Sequence, residues 1–135
     1  MTTHKIGVLG GDGIGPEVTA EAVKCLKAAS KKFGFGLEFV DYPFGADHPL
    51  KTKELIPDRA FAEMKTLDAI LLGAIGDPRF ETGYLEFGIV GRLRFDLDLF
   101  VNLRPIKLYA EHLCPLKGKK VDDLQMIVVR ENTED

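Results

Sequence analysis

Apolar positions fall along the chain in short blocks separated by turn residues, and each block can be read as one element. Lys5 to Leu9 is an apolar run closed by Gly10 and Gly11, which predicts a buried strand. The glycine turn GGDGIG follows, then Pro16, which suits the first helical position, and Glu17, which complements the positive end of a helix dipole. Val18, Ala22, Cys25, Leu26, Ala29 and Phe33 recur at helical spacing and predict one apolar face. Lys27, Lys31 and Lys32 crowd the carboxyl end of that helix, and Gly34 fits the residue just past it. Leu37 to Tyr42 predicts a second strand, and Pro57 to Leu67 a second helix with Phe61, Met64 and Leu67 on one face. Asp68 to Gly73 is a continuous apolar run of the kind buried in parallel sheets.

After a glycine- and proline-containing loop, Ala74 to Gly83, the spacing of Leu85, Ile89, Leu93 and Leu97 predicts a helix over Leu85 to Leu97. Phe100 to Leu108 reads as extended, with Pro105 pointing to an edge or a bulge. Ala110 to Asp123 reads as a polar connecting loop, and Leu124 to Arg130 as a last strand. The alternation of strands and helices predicts an α/β fold with a mainly parallel sheet flanked by helices and right-handed crossovers.

Composition narrows the function classes. The chain has 135 residues, 45% of them hydrophobic and 29% charged, which is an ordinary globular balance rather than a disordered or fibrous one. A formal net charge of −3 argues against nucleic-acid binding driven by bulk charge, although local arginines can still hold a small anion. No apolar run is long enough for a signal peptide core or a membrane span, so no membrane association is expected. The two cysteines, Cys25 and Cys114, form no CxxC pair, and a reducing cytoplasm is the default expectation. Cys25, on the apolar helix face, is expected to be a buried small hydrophobe.

Several segments carry possible chemistry. Gly10, Gly11, Gly13 and Gly15 lie between a strand and a helix, as a dinucleotide fingerprint requires, but no G-x-G-x-x-G can be drawn through them. Asp41 also follows by more than the usual interval of about 20 residues. The plain reading is a tight turn; backbone N–H groups at a helix start remain suited to an anion. The run GRLRFDLDLFVNLRP, Gly91 to Pro105, holds Arg94 and Arg104 in apolar surroundings, and Arg130 ends the last strand. Arginine binds carboxylates through a planar fork that lysine cannot copy, so three such residues could clamp a small polycarboxylate. The alternative is ion pairing: Arg92 with Asp96, Arg94 with Asp98, and Arg130 with Glu131, Glu134 and Asp135. That acidic cluster is by itself weak grounds for a metal site. No HExxH, P-loop, GxSxG elbow or nucleophilic cysteine signature is present.

Four motifs, taken jointly, resemble one family. GDGIGPEV (Gly11 to Val18), AILLGAIG (Ala69 to Gly76), LRFDLDLFVNLRP (Leu93 to Pro105) and VVRENTED (Val128 to Asp135) follow in the order and spacing of the first part of a β-decarboxylating dehydrogenase. This group contains the isopropylmalate, isocitrate, homoisocitrate and tartrate or malate enzymes, and the resemblance is greatest to the isopropylmalate branch. It implies a two-domain α/β subunit working as a homodimer. The implied reaction oxidises a 2-hydroxy dicarboxylate with NAD or NADP, with Mg or Mn as Lewis acid, and then releases the β-carboxylate as carbon dioxide, a step of leucine biosynthesis in the isopropylmalate branch.

Carried over by motif, the resemblance implies substrate binding by Arg94, Arg104 and Arg130. It implies cofactor contacts from Ile14, Gly73, Ala74, Ile75, Gly76 and Glu86. Isocitrate enzymes carry a serine and an asparagine where this chain has Gly88 and Val90, so Val90 is expected to offer an apolar wall to an alkyl branch. Homoisocitrate enzymes use an extra arginine in the preceding loop, where this chain has only Arg79, placed early. The register around Glu86 and Phe87, and the sequence RENTED, depart from many isopropylmalate relatives. The resemblance further implies that the catalytic tyrosine and lysine and the metal-binding aspartates lie beyond Asp135. On that expectation residues 1–99 are the first segment of domain one, residues 100–135 the start of domain two, and the chain alone is inactive. The alternative from another class is a stand-alone anion- or nucleotide-binding module.

Overall fold

The structure, a computed structural model, describes residues 2–134. The chain divides into two compact units, Met1–Arg92 and Leu93–Asp135, each with its own sheet.

The first unit begins with β1 (Thr3–Gly11), α1 (Gly15–Phe33), β2 (Gly36–Asp41), α2 (Asp47–Thr52), α3 (Asp58–Met64) and β3 (Ala69–Ala74). The strands are parallel in the order β2-β1-β3, so β1 is paired on both sides. Parallel neighbours require a crossover, which α1 supplies between β1 and β2, and α2 with α3 between β2 and β3. Central pairing explains why Leu9 is fully buried and Val8 nearly so, whereas β2 and β3 are mostly half-buried. Phe44, Ala46, Ile56, Phe61, Met64, Leu85 and Ile89 complete this core.

Glycines fix how the elements meet. A Cβ on Gly15 would lie 2.0 Å from the carbonyl oxygen of Gly10, and one on Gly73 would lie 2.2 Å from the same oxygen. The start of α1 and the end of β3 therefore close onto the carboxyl end of β1 at backbone distance. Thr19, buried behind this junction, donates its hydroxyl to the Gly15 carbonyl at 2.9 Å. At its other end α1 stops as expected, with Gly34 in the left-handed region at φ 74° and its N–H donating to Ser30 O.

One reading of the pattern needs correction. Cys25 is exposed rather than buried, and Val18 and Phe33 on the same face are also exposed. The three-stranded sheet covers only a narrow stripe of α1, so Ala22, Val23, Leu26 and Ala29 are half-buried and the flanks are left open. The helix expected from Leu85 to Leu97 is present as one unbroken helical run, with a π-helical turn (Glu86–Gly91) leading directly into α4 (Arg92–Asp96). Gly88 and Gly91 weaken an α-helix here, and at Gly88 a Cβ would meet the Leu55 Cδ1 methyl, which would have to shift. Helix α2 lacks an apolar periodicity and contains Pro49, so no pattern announces it.

The second unit holds the rest of α4, then β4 (Val101–Lys107) and β5 (Gln125–Glu131), joined through two short 3₁₀ turns. These strands are antiparallel, from Val101 opposite Glu131 to Lys107 opposite Gln125, so the parallel arrangement is confined to the first unit. Both strands of a two-stranded ribbon are edges, which accommodates Pro105 opposite Ile127. Among the described residues no helix is long and apolar enough to cross a membrane.

Candidate functional site

In the first unit the residues expected to face a cofactor gather at the carboxyl end of β1 and β3. Open parallel sheets offer their ligand crevices at this end of the strands. Gly73 and Ala74 close β3, and Ile75 reaches back so that a Cβ on Gly11 would lie 2.7 Å from its Cδ1. Gly76 adopts φ 147°, a conformation open to glycine, and a Cβ there would lie 3.3 Å from Glu86 Oε1. Gly76 and Glu86 line one cleft of about 290 Å³ together with Phe80, Thr82 and Leu85. Ile14 precedes α1 with its side chain 62% exposed, beside Gly13, whose α-carbon faces open space.

Arg94, Arg104 and Arg130 all belong to the second unit. Arg130 stands opposite Asn102 across the ribbon, and Arg104 stands opposite Val128. Directly opposed residues in an antiparallel pair, and residues two apart on a strand, share a face, so Arg104 and Arg130 project from the same side as diagonal neighbours. The Arg104 Nε–H donates to Asn102 Oδ1 at 2.9 Å. Arg94 is half-buried, lies against the Phe95 ring at 4.8 Å, and donates its Nε–H to the main-chain oxygen of Asn132, just past β5. Asn102 Nδ2 reaches Asn132 Oδ1 at 3.4 Å, so two asparagines link the settings of Arg94 and Arg104.

Among the described residues, the pairings of Arg94 with Asp98 and of Arg130 with Glu131 or Glu134 read from spacing are not made. Arg92 donates to Asp58 Oδ1 at 2.6 Å and to the Ile56 carbonyl at 2.5 Å, and stacks over Phe61. No ion pair joins Arg94 to Asp98 among the described residues; Asp98 sits at φ 52° in the turn that ends α4. Arg130 pairs with neither Glu131 nor Glu134, and Asp135 lies outside the described residues. The Glu131 carboxylate instead accepts the N–H groups of Thr133 and Glu134 at 2.6 and 2.8 Å, and these bonds hold its pKa below the usual carboxylate range. The guanidinium heads of Arg104 and Arg130 are thus left clear of carboxylate partners in the described chain.

Two parts of the site were not visible in the sequence. The Asp12 carboxylate accepts the N–H of Ala46 at 2.7 Å and that of Gly76 at 3.0 Å, joining the loops after β2 and β3. A cleft of about 510 Å³ opens beside it, lined by Asp12, Tyr42, Phe44, Asp47, His48 and Lys51 among others. Burial, with the nearby Glu63 charge adding to it, pushes the Tyr42 phenol above its ordinary pKa. Arg79, the arginine of the preceding loop, is held by Asp77 at 2.7 Å and Asp47 at 2.8 Å. Among the described residues no group of three or more His, Cys, Asp or Glu side chains is placed to hold a metal ion.

The family model for isocitrate/isopropylmalate dehydrogenases matches residues 5–135. The 3-isopropylmalate dehydrogenase of Thermobifida fusca is 47% identical over 132 residues, covering 98% of this chain and 37% of that protein. The 3-isopropylmalate dehydrogenase of Mycobacterium avium is 50% identical over 130 residues, with 96% and 37% covered. Among solved structures, isocitrate dehydrogenase from Methylococcus capsulatus superposes with a TM-score of 0.75 at 27% identity, over 97% of this chain and 35% of that one. A β-decarboxylating dehydrogenase from Thermococcus kodakarensis gives 0.73 at 31% identity, over 97% and 34%. The chain thus spans little more than a third of the length of the relatives it matches.

Proposed function

The chain belongs to the isocitrate/isopropylmalate dehydrogenase family, and from that premise we propose that it supplies the substrate-holding arginines and one wall of the cofactor site of a 3-isopropylmalate dehydrogenase. The reaction is oxidation of the 2-hydroxyl to a ketone, followed by loss of the β-carboxylate as carbon dioxide. NAD, when bound, accepts the hydride. The residues of this chain bind and orient. Arg94, Arg104 and Arg130 hold the two carboxylates of the malate skeleton, and Val90 offers the apolar wall for the isopropyl branch. Ile14 and the Gly73–Gly76 loop with Glu86 receive the cofactor. The working protein is proposed to be a cytoplasmic homodimer using Mg or Mn.

The observation that carries this reading is the shared face of Arg104 and Arg130 on the β4–β5 ribbon, with Arg94 anchored at the end of the same ribbon. Two features support isopropylmalate over the other acids of the family. A serine at Gly88 would require the Leu55 side chain to turn away, and the glycine present offers no hydroxyl to a third carboxylate. Arg79 already has two carboxylate partners, Asp77 and Asp47, which supports reading it as a loop tether rather than as the extra arginine of a homoisocitrate enzyme.

Calorimetry of the chain with 3-isopropylmalate, isocitrate, NAD and NADP tests the proposal. The expected order is 3-isopropylmalate bound at least about tenfold more tightly than isocitrate, since an unsatisfied third carboxylate in an apolar setting is costly. Arg104→Lys should weaken binding by about tenfold by removing the two-pronged contact. Equal affinity for both acids, or an unchanged affinity in Arg104→Lys, contradicts it.

A further inference from the structure

We propose that Asp12 is a positioning residue that sets the shape of the cofactor loop through Gly76, an inference that rests on the reading of Gly73–Gly76 as a cofactor wall. Four hydrogen bonds converge on this one residue. Its Oδ1 accepts the Ala46 N–H at 2.7 Å, and its Oδ2 accepts the Gly76 N–H at 3.0 Å. Its own N–H donates to Ala74 O at 2.6 Å, and its carbonyl accepts the Gly15 N–H at 2.8 Å. Asp12 thereby fastens the start of α1, the end of β3, the loop beyond β3 and the loop beyond β2.

The chemistry requires an aspartate. Each carboxylate oxygen serves a different loop, and an asparagine offers only one acceptor oxygen in the same shape. A charged acceptor also makes the stronger bond to a backbone N–H. The fit around it is close, because a Cβ on Gly45 would lie 2.6 Å from Asp12 Oδ1. Gly76, at φ 147°, has no regular ladder to hold it, since β3 ends at Ala74. With Asp12 turned into the two loops, Gly13 and the exposed Ile14 side chain are left facing outward. Asp12 is therefore placed to act through the loop that it holds.

Amide hydrogen exchange followed by NMR on the 135-residue chain tests this. Asp12→Asn should release one of the Ala46 and Gly76 amides and Asp12→Ala both, each exchanging about tenfold faster, while the amides of β1 and β3 keep their protection. Gly45→Ala, which crowds Oδ1, should release the Ala46 amide that this oxygen holds. Unchanged Gly76 exchange in Asp12→Ala overturns the proposal, and so does acceleration spread evenly over the strands. Addition of NAD separates this inference from the cofactor reading. NAD that perturbs the Gly73–Gly76 amides more weakly in Asp12→Ala than in the native chain supports the positioning role, and equal affinity in the two overturns it. If NAD leaves those amides unmoved in the native chain while Asp12→Ala still releases Gly76, the cofactor reading fails and the loop clamp stands.

Discussion

Asn102 stands directly opposite Arg130 across the β4–β5 ribbon, and its side-chain oxygen takes the Nε–H of Arg104, two positions away, at 2.9 Å. One short amide thus sits between two of the proposed carboxylate-binding arginines and orients one of them. Two like charges on neighbouring positions repel, and a neutral hydrogen-bonding residue between them lets both forks open toward one ligand.

Asn102→Ala should therefore weaken binding of 3-isopropylmalate by roughly fivefold, the worth of one hydrogen bond of about 1 kcal/mol. The residue is only half-buried in a ribbon with open edges, so thermal unfolding of the chain should change little. Calorimetry and a melting curve on the same variant check both halves. A large loss of stability with no separate loss of affinity contradicts the assignment.

The Asp77 carboxyl is held down to about 2 from an ordinary 3.8, chiefly by the side-chain hydrogen bond from Arg79, with the Arg79 backbone N–H adding to it. A carboxylate with a depressed folded pKa contributes stability above its unfolded pKa and loses it as pH falls through the folded value. The contact between Asp77 and Arg79 should thus persist at pH 4 and above and be lost as pH falls toward about 2. Carbon-detected NMR titration of the Asp77 carboxyl reads the midpoint. In Arg79→Ala the midpoint should return close to the ordinary value, and a midpoint that stays low there would assign the depression to another group.

Much of the first unit was legible because its signals are local. The glycine turn, Pro16, the apolar run of β3 and Gly34 each state one element and its end, and each element is present where the pattern puts it. Where the structure departs from the pattern, the cause is common: periodicity reports a preference and packing decides. Leu85, Ile89, Leu93 and Leu97 keep helical spacing, yet the close approach of Leu55 to Gly88 accompanies a π-helical turn there. The arginines were legible as candidates from their residue type and motif. The roles of Asp12, Asn102 and Asn132 were not, because each depends on which segments meet in space, and GGDGIG or VNLRP carries no record of a partner dozens of residues away.

Cys25 offers a direct check on the packing of α1. Exposed on a flank that the three-stranded sheet does not reach, it should react with a thiol reagent in the native chain within about tenfold of its rate in denaturant. Mass spectrometry of the labelled chain locates the site. Protection by a thousandfold or so would mean that the face is covered.

The central claim is that three arginines of one unit receive the carboxylates of a malate-type acid. Its most direct measurement is an NMR titration of the arginine Nε–H resonances with 3-isopropylmalate, with Arg59 and the ion-paired Arg79 as internal controls. The account predicts that the Arg94, Arg104 and Arg130 signals shift together along one saturating curve while those of Arg59 and Arg79 stay in place. Shifts of equal size at all five, or none at the three, would contradict it.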